Sequence, residues 1–166
     1  MKTLDNLKEA FAGESQANRK YLAFGERAEN DGFPGVAKLF RAVAAAETIH
    51  ALAHFRAMGG IKGTVENLKA AMAGEKEEFT EMYPPMVETA KTEGQKKAEI
   101  SMRYALDVEK VHFDLFTEAL AAVEAGADIG DVVVRVCPNC GHTVIGDAPD
   151  ACPVCHLKGE NYDVIG

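Results

Sequence analysis

Two Glu-x-x-His segments, Glu47-Thr48-Ile49-His50 and Glu109-Lys110-Val111-His112, each carry an oxygen and a nitrogen donor three residues apart. On a helix such residues share one face, so each pair can present both donors to one metal centre. Each pair is preceded by a glutamate in a repeated segment, Ala12-Gly13-Glu14 and Ala73-Gly74-Glu75, which lies 33 residues before Glu47 and 34 before Glu109. That spacing suits a helix running out, a turn and an antiparallel helix returning, which brings the four segments level. One Glu-x-x-His alone is more often a surface accident. Two of them, in a repeat whose halves are offset by 61 and 62 residues, point to metal. Imidazole with carboxylate favours iron or manganese over metals that prefer soft ligands, and iron is the expected choice. Glu78, three residues after Glu75, adds a fifth carboxylate that reads as a mobile ligand. His54 shares a helix face with His50 but has no counterpart in the repeat, so it reads as a surface or helix-end histidine.

A second metal site is spelled by cysteine. Cys137-Pro138-Asn139-Cys140-Gly141 and Cys152-Pro153-Val154-Cys155 form two knuckles separated by eleven residues, and they hold all four cysteines of the chain. Four thiolates imply tetrahedral coordination of iron or zinc, and beside an iron site of carboxylates and imidazoles a one-electron iron centre has a purpose. His142 and His156 adjoin the knuckles and read as spectators, because four sulfurs already complete the shell.

Helices must position the first set of donors. Residues 3 to 126 are rich in Ala, Glu, Lys, Leu and Met, with apolar positions every three or four residues, as four long amphipathic helices require. Breaks are predicted at residues 30–35, at 59–63 and near 92–94, where Gly, Pro or Asn ends one helix and starts the next. Pro84-Pro85 should kink or interrupt the third helix. After Gly126 the character changes: Val132-Val133-Val134 and Val136 predict a short strand, and Gly, Pro, Asp and Cys then dominate. A domain of about 35 residues cannot bury enough core by itself, so metal is its expected source of stability.

The formal charge of −8, with no basic stripe, excludes nucleic-acid binding by the usual phosphate contacts. No stretch is apolar enough for export or spanning, so no membrane role and a cytoplasmic location are expected, and paired Cys-x-x-Cys fits a reducing compartment.

With these residues in view, the chain resembles the rubrerythrins over nearly its whole length. The resemblance is carried by Ala12-Gly13-Glu14-Ser15-Gln16-Ala17, by Glu47-Thr48-Ile49-His50, by Ala73-Gly74-Glu75 through Thr80-Glu81-Met82-Tyr83-Pro84, and by Glu109-Lys110-Val111-His112. The terminal knuckles resemble rubredoxin. The implied fold is mainly α: a ferritin-like four-helix bundle over residues 1–130, then a small rubredoxin-like metal-binding β domain over 131–166. The resemblance implies a di-iron site, with Glu14, Glu47, Glu75, Glu109 and His112 as ligands and with Glu78 and His50 as the pair between which one iron shifts. It implies a third iron on Cys137, Cys140, Cys152 and Cys155, and zinc fits either site in a recombinant preparation. Tyr21 and Tyr83 match tyrosines bordering the family's site, although ordinary core packing would equally place them. The implied activity is reduction of hydrogen peroxide to water in oxidative-stress protection, with electrons from a reductase or rubredoxin entering through the cysteine-bound iron. The aromatic residue common after the first knuckle is replaced here by His142.

Helix length adds one expectation. About fourteen residues beyond His112, at 1.5 Å each, would carry the cysteine domain roughly 20 Å from its own di-iron ligands, so an antiparallel homodimer or larger assembly is expected to shorten the electron path. Two other readings share many of these features: a ferroxidase or iron-storage protein, and a non-enzymatic zinc-ribbon binding module. Glu78 favours the peroxidase, a storage shell gives the cysteine domain no purpose, and a zinc module would be colourless.

Overall fold

A computed structural model describes all residues, 1–166. The chain is mainly helical and folds as two compact units, Met1–Lys62 and Gly63–Gly166.

The first unit is a hairpin of α1 (Lys2–Asn30) and α2 (Pro34–Ala57). The turn follows from its residues. Gly32 takes a positive φ of 83°, the amides of Gly32 and Phe33 close back onto Glu29 and Ala28, and Pro34, which has no amide to satisfy, opens α2. The helices approach closely because small residues line the seam: Ala37, Ala44 and Ala51, seven apart on α2, are buried, and a Cβ on Gly25 would lie 3.4 Å from the Ala37 carbonyl. One polar side chain locks the register. Buried Asn18 donates through Nδ2 to the Ala44 carbonyl at 2.7 Å and to Thr48 Oγ1 at 2.8 Å.

In the second unit α3 (Thr64–Glu77) passes through a π-helical turn, Glu78–Met82, into α4 (Tyr83–Thr92), and α5 (Lys96–Glu124) packs along both. The predicted interruption at Pro84-Pro85 is therefore present. Its form follows from proline chemistry: rings at 84 and 85 would press on the carbonyls of Thr80 and Glu81, four residues back. The wider turn before them, closed by the Tyr83 amide on the Glu78 carbonyl, opens that space, and the prolines occupy the first turn of α4.

After α5 the chain builds β1 (Val134–Val136), β2 (Thr143–Ile145) and β3 (Asp163–Ile165), antiparallel in the order β2-β1-β3, with Val134 opposite both Ile145 and Ile165. The predicted strand is thus real but begins at Val134. With strands of only three residues, the sheet has little core beyond buried Cys137, Cys152 and Tyr162. Around the second knuckle the chain is tight: the Cys152 amide bonds the Leu157 carbonyl, Gly159 bonds Asp150, and a Cβ on Gly159 would overlap the Pro149 carbonyl. Gly159→Ala should therefore cost about 1–3 kcal/mol, read as a lowered denaturation midpoint of the metal-loaded protein. No helix of the chain is long and apolar enough to cross a membrane.

Candidate metal centres

The donors gather as two triads, one within each unit. In the first, Glu14 from α1 meets Glu47 and His50 from α2: His50 Nδ1 lies 2.9 Å from Glu47 Oε2 and 4.0 Å from Glu14 Oε1. In the second, Glu75 from α3 meets Glu109 and His112 from α5: His112 Nδ1 lies 2.8 Å from Glu109 Oε2 and 3.8 Å from Glu75 Oε2. The repeat seen in sequence is thus a repeat of geometry. In each triad the i,i+3 pair is set by one helix, and the third carboxylate arrives across the hairpin.

The second triad has further surroundings. Glu75 is held above the ordinary carboxylate range by burial, then by its hydrogen bond with Glu109 and the charge beside it. Glu78, on the π-helical turn, is also raised, by burial and by the charges of Glu75 and Glu77, and it hydrogen-bonds Glu109. Tyr83 is raised by burial and by the charges of Glu78, Glu109 and Glu75, which places its phenol among these carboxylates. Tyr21 instead sits in an aromatic cluster with Phe24 and Phe40, at ring distances of 6.3 and 6.1 Å.

His112 bonds on both sides. Its Nε2 faces the Gly141 carbonyl at 3.2 Å and Thr143 Oγ1 at 3.1 Å. A proton on Nε2 satisfies that carbonyl and leaves the Nδ1 lone pair toward the carboxylates, the arrangement that fixes tautomer and ring orientation in metal-ligating histidines. Gly141 directly follows Cys140, so the cysteine domain lies against the triad of its own chain. The 20 Å separation expected from helix length is overturned, because after Glu124 the chain doubles back along α5 and Val108 comes to face Gly141.

The four sulfurs converge. Cys137 and Cys155 Sγ are 3.5 Å apart, as are Cys140 and Cys152 Sγ, too far for disulfides and all within 4.8 Å of one another. A tetrahedral ion with metal–sulfur bonds of about 2.3 Å has sulfur–sulfur edges of about 3.8 Å, so the residues fit a bound ion. Burial pushes Cys137 and Cys140 up. Cys152 behaves differently: burial alone would raise it, but hydrogen bonds from Tyr162 and from the Cys155 and Val154 amides hold it down to about 6. Gly141 takes a φ of 86° after the first knuckle, and His156, exposed, takes 62° after the second, a conformation rare outside glycine.

Sequence reasoning missed Thr143, the Gly141 carbonyl and the pair His142 and Tyr162. Nothing in the spacing of Thr143 or Tyr162 marks them. The histidine in place of an aromatic residue at 142 was the one visible signal.

The clustered carboxylates give a pH dependence to the metal-free protein. Glu75 and Glu78 titrate higher in the folded state than in the unfolded chain, so their stabilising contribution is complete below the ordinary value of 4.5 and is lost as pH rises through the raised values. Taken by themselves, Glu75 and Glu78 therefore raise the melting temperature of metal-free protein as pH is lowered from neutral toward 4.5. Glu75→Gln should flatten that slope. Glu99, lowered by Lys96, Cys152, held down to about 6, and His142, lowered by burial, work in the opposite direction, so the difference between the two proteins, followed by thermal melts in chelator, isolates the effect.

Comparison with known proteins agrees with this architecture. A family model described as rubrerythrin matches residues 5–120, and one described as rubrerythrin, rubredoxin-like domain matches residues 136–163. Rubrerythrin-2 of Clostridium acetobutylicum is 37% identical over 98% of this chain and 96% of its own length. Nigerythrin of Nitratidesulfovibrio vulgaris is 36% identical over 96% of this chain and 85% of its own. Among solved structures, nigerythrin in a mixed-valence state aligns with a TM-score of 0.59 at 31% identity, covering 98% of this chain and 86% of that one. The fully reduced, all-ferrous state of nigerythrin aligns at 0.60 and 30% identity, with the same coverage.

Proposed function

We propose, since the chain belongs to the rubrerythrin family, that it is a cytoplasmic peroxidase that reduces hydrogen peroxide to water at a di-iron carboxylate centre, with electrons delivered through a four-cysteine iron. Residues 1–130 form the ferritin-like part of this reading and 131–166 the rubredoxin-like part. The spans of the two family matches support that division.

The observation that carries the reading is the placement of His112. One ring nitrogen faces Glu75 and Glu109, while the other bonds the carbonyl of Gly141, next to Cys140. A single hydrogen bond thus joins the peptide chain of the four-sulfur site to an imidazole of the carboxylate site. Such a connection has a use when electrons pass between the two and none in a zinc ribbon that only stabilises its fold. That nigerythrin has been solved in mixed-valence and all-ferrous states supports iron redox chemistry on this fold.

Glu14, Glu47 and His50, with Glu75, Glu109, His112 and Glu78, are assigned to the di-iron centre, and Cys137, Cys140, Cys152 and Cys155 to the third iron. Bound iron supplies the electrons and polarises the peroxide oxygens. The rest belongs to the chain. Reduction of one peroxide to two waters consumes two protons, and Tyr83, whose phenol is raised above its ordinary value of 10.0 by burial and by the charges of Glu78, Glu109 and Glu75, keeps its proton beside the carboxylates at neutral pH. Glu78 lies on a π-helical turn, where backbone hydrogen bonding is least regular, which suits a ligand that moves. Tyr21 is assigned to the border of the site by resemblance. A reductase or rubredoxin supplies electrons, and the working unit is a homodimer or larger. That assembly rests on the resemblance, since proximity of His112 to Gly141 removes the distance argument for it.

The test is anaerobic. Iron-loaded protein is reduced, one equivalent of hydrogen peroxide is added, and the visible absorption of the four-sulfur iron is followed with peroxide loss. Rapid return of the oxidised absorption with peroxide, and much slower return with oxygen, is expected. No preference for peroxide, together with assembly into a hollow shell on sizing, would favour iron storage. A colourless protein would favour the zinc ribbon.

A further inference from the structure

Inside the cysteine domain a polar side-chain pair occupies a place where apolar packing would suffice. His142 and Tyr162 are only 9% and 7% exposed, their rings meet edge to face at 6.0 Å, and Tyr162 Oη lies 3.0 Å from His142 Nδ1. Tyr162 packs in one cluster with Cys152, which is fully buried. His142 is anchored at three points. Its carbonyl accepts from the Cys137 amide at 2.8 Å, its own amide bonds Cys140, and its ring holds Tyr162. A buried phenol needs partners for both its proton and its lone pair. With Nδ1–H donating to Oη, the hydroxyl proton is free to point at Cys152 Sγ.

We propose that Tyr162 is a positioning residue for electron transfer: held by His142, its hydroxyl donates a hydrogen bond to Cys152 Sγ and favours the reduced state of the four-cysteine iron. The physical ground is charge. The ferrous centre carries one negative charge more than the ferric one, and a donor aimed at a thiolate in a dry, low-dielectric site stabilises the more negative state. The other donors to the sulfurs come from the backbone, as with Val154 and Cys155 on Cys152, and substitution cannot remove them. Tyr162 is the donor that a single oxygen atom defines. The inference rests on the reading that this site carries iron and passes electrons.

The experiment is optical spectroelectrochemistry of the four-sulfur absorption in the iron-reconstituted full chain. Tyr162→Phe keeps the ring and removes the donor. At a fixed applied potential it should raise the ferric-to-ferrous ratio about tenfold, a midpoint lowered by about 59 mV for one electron. His142→Phe, which frees the hydroxyl from its anchor, should move the midpoint the same way, and the double variant should go no further than Tyr162→Phe. A merely structural role would alter stability and leave the midpoint alone. Iron retained in Tyr162→Phe with the wild-type midpoint would overturn the proposal, and if that variant holds no iron, an unmoved midpoint in His142→Phe overturns it equally. A wild-type chain that accepts zinc and refuses iron would overturn the electron-transfer reading and this proposal together.

Discussion

His112→Ala should lower peroxide turnover by more than about 100-fold and remove iron from the carboxylate centre while the helices stay folded. Outer-sphere partners of metal ligands commonly contribute about 10–100-fold in affinity or activity, and the proposed assignment gives His112 both roles. Its Nδ1 stands 2.8 Å from Glu109 and 3.8 Å from Glu75, so its loss leaves two carboxylates facing each other without their nitrogen partner. Its Nε2 also makes the bond to Gly141 that ties the cysteine domain to α5. Thr143→Val separates these roles. It removes only the hydroxyl 3.1 Å from Nε2, and should cost roughly tenfold with iron content unchanged. Iron analysis, far-UV circular dichroism and single-turnover peroxide kinetics decide the matter. A His112→Ala protein that keeps its full iron complement and wild-type turnover would remove His112 from the centre.

Cys152→Ser should abolish the four-sulfur absorption and unfold the segment after residue 131 while α1 to α5 keep their helicity. The reason lies in what the domain lacks. Its three strands have three residues each, and two of the three buried residues of its core, Cys137 and Cys152, are ligands themselves. Metal binding therefore supplies the folding free energy; in small zinc domains it amounts to about 10–16 kcal/mol. Cys152 takes hydrogen bonds from the Val154 and Cys155 amides, and it sits fully buried. Serine there offers a poor ligand in a cavity shaped for sulfur. Amide hydrogen exchange reads the result directly: Val134, Val136 and Val144 should lose protection, and amides in the middle of α5 should not. Persisting protection across β1 and β2 would show that the sheet stands without its metal.

The sequence by itself determined the features whose geometry is local. A helix places residues three apart on one face wherever it lies, so Glu47 with His50 and Glu109 with His112 were legible as donor pairs, and the structure draws each to within 3 Å. Cys-x-x-Cys is likewise a short-range turn, so the four-sulfur site followed from spacing. The break at Pro84-Pro85 could be read from proline's missing amide, although its π-helical form required the packing of α3 and α4 on α5. The tertiary structure alone decided which long-range neighbours these residues received. Counting residues along α5 gave the length of the path away from His112 but could not show the return after Gly126 that sets Gly141 against the imidazole. No spacing rule joins Tyr162 to His142, twenty residues apart. They meet because β3 pairs with β1 and carries the end of the chain back over the knuckles, and it is chain reversal, which a one-dimensional pattern does not encode, that converts two separate ligand sets into neighbouring centres.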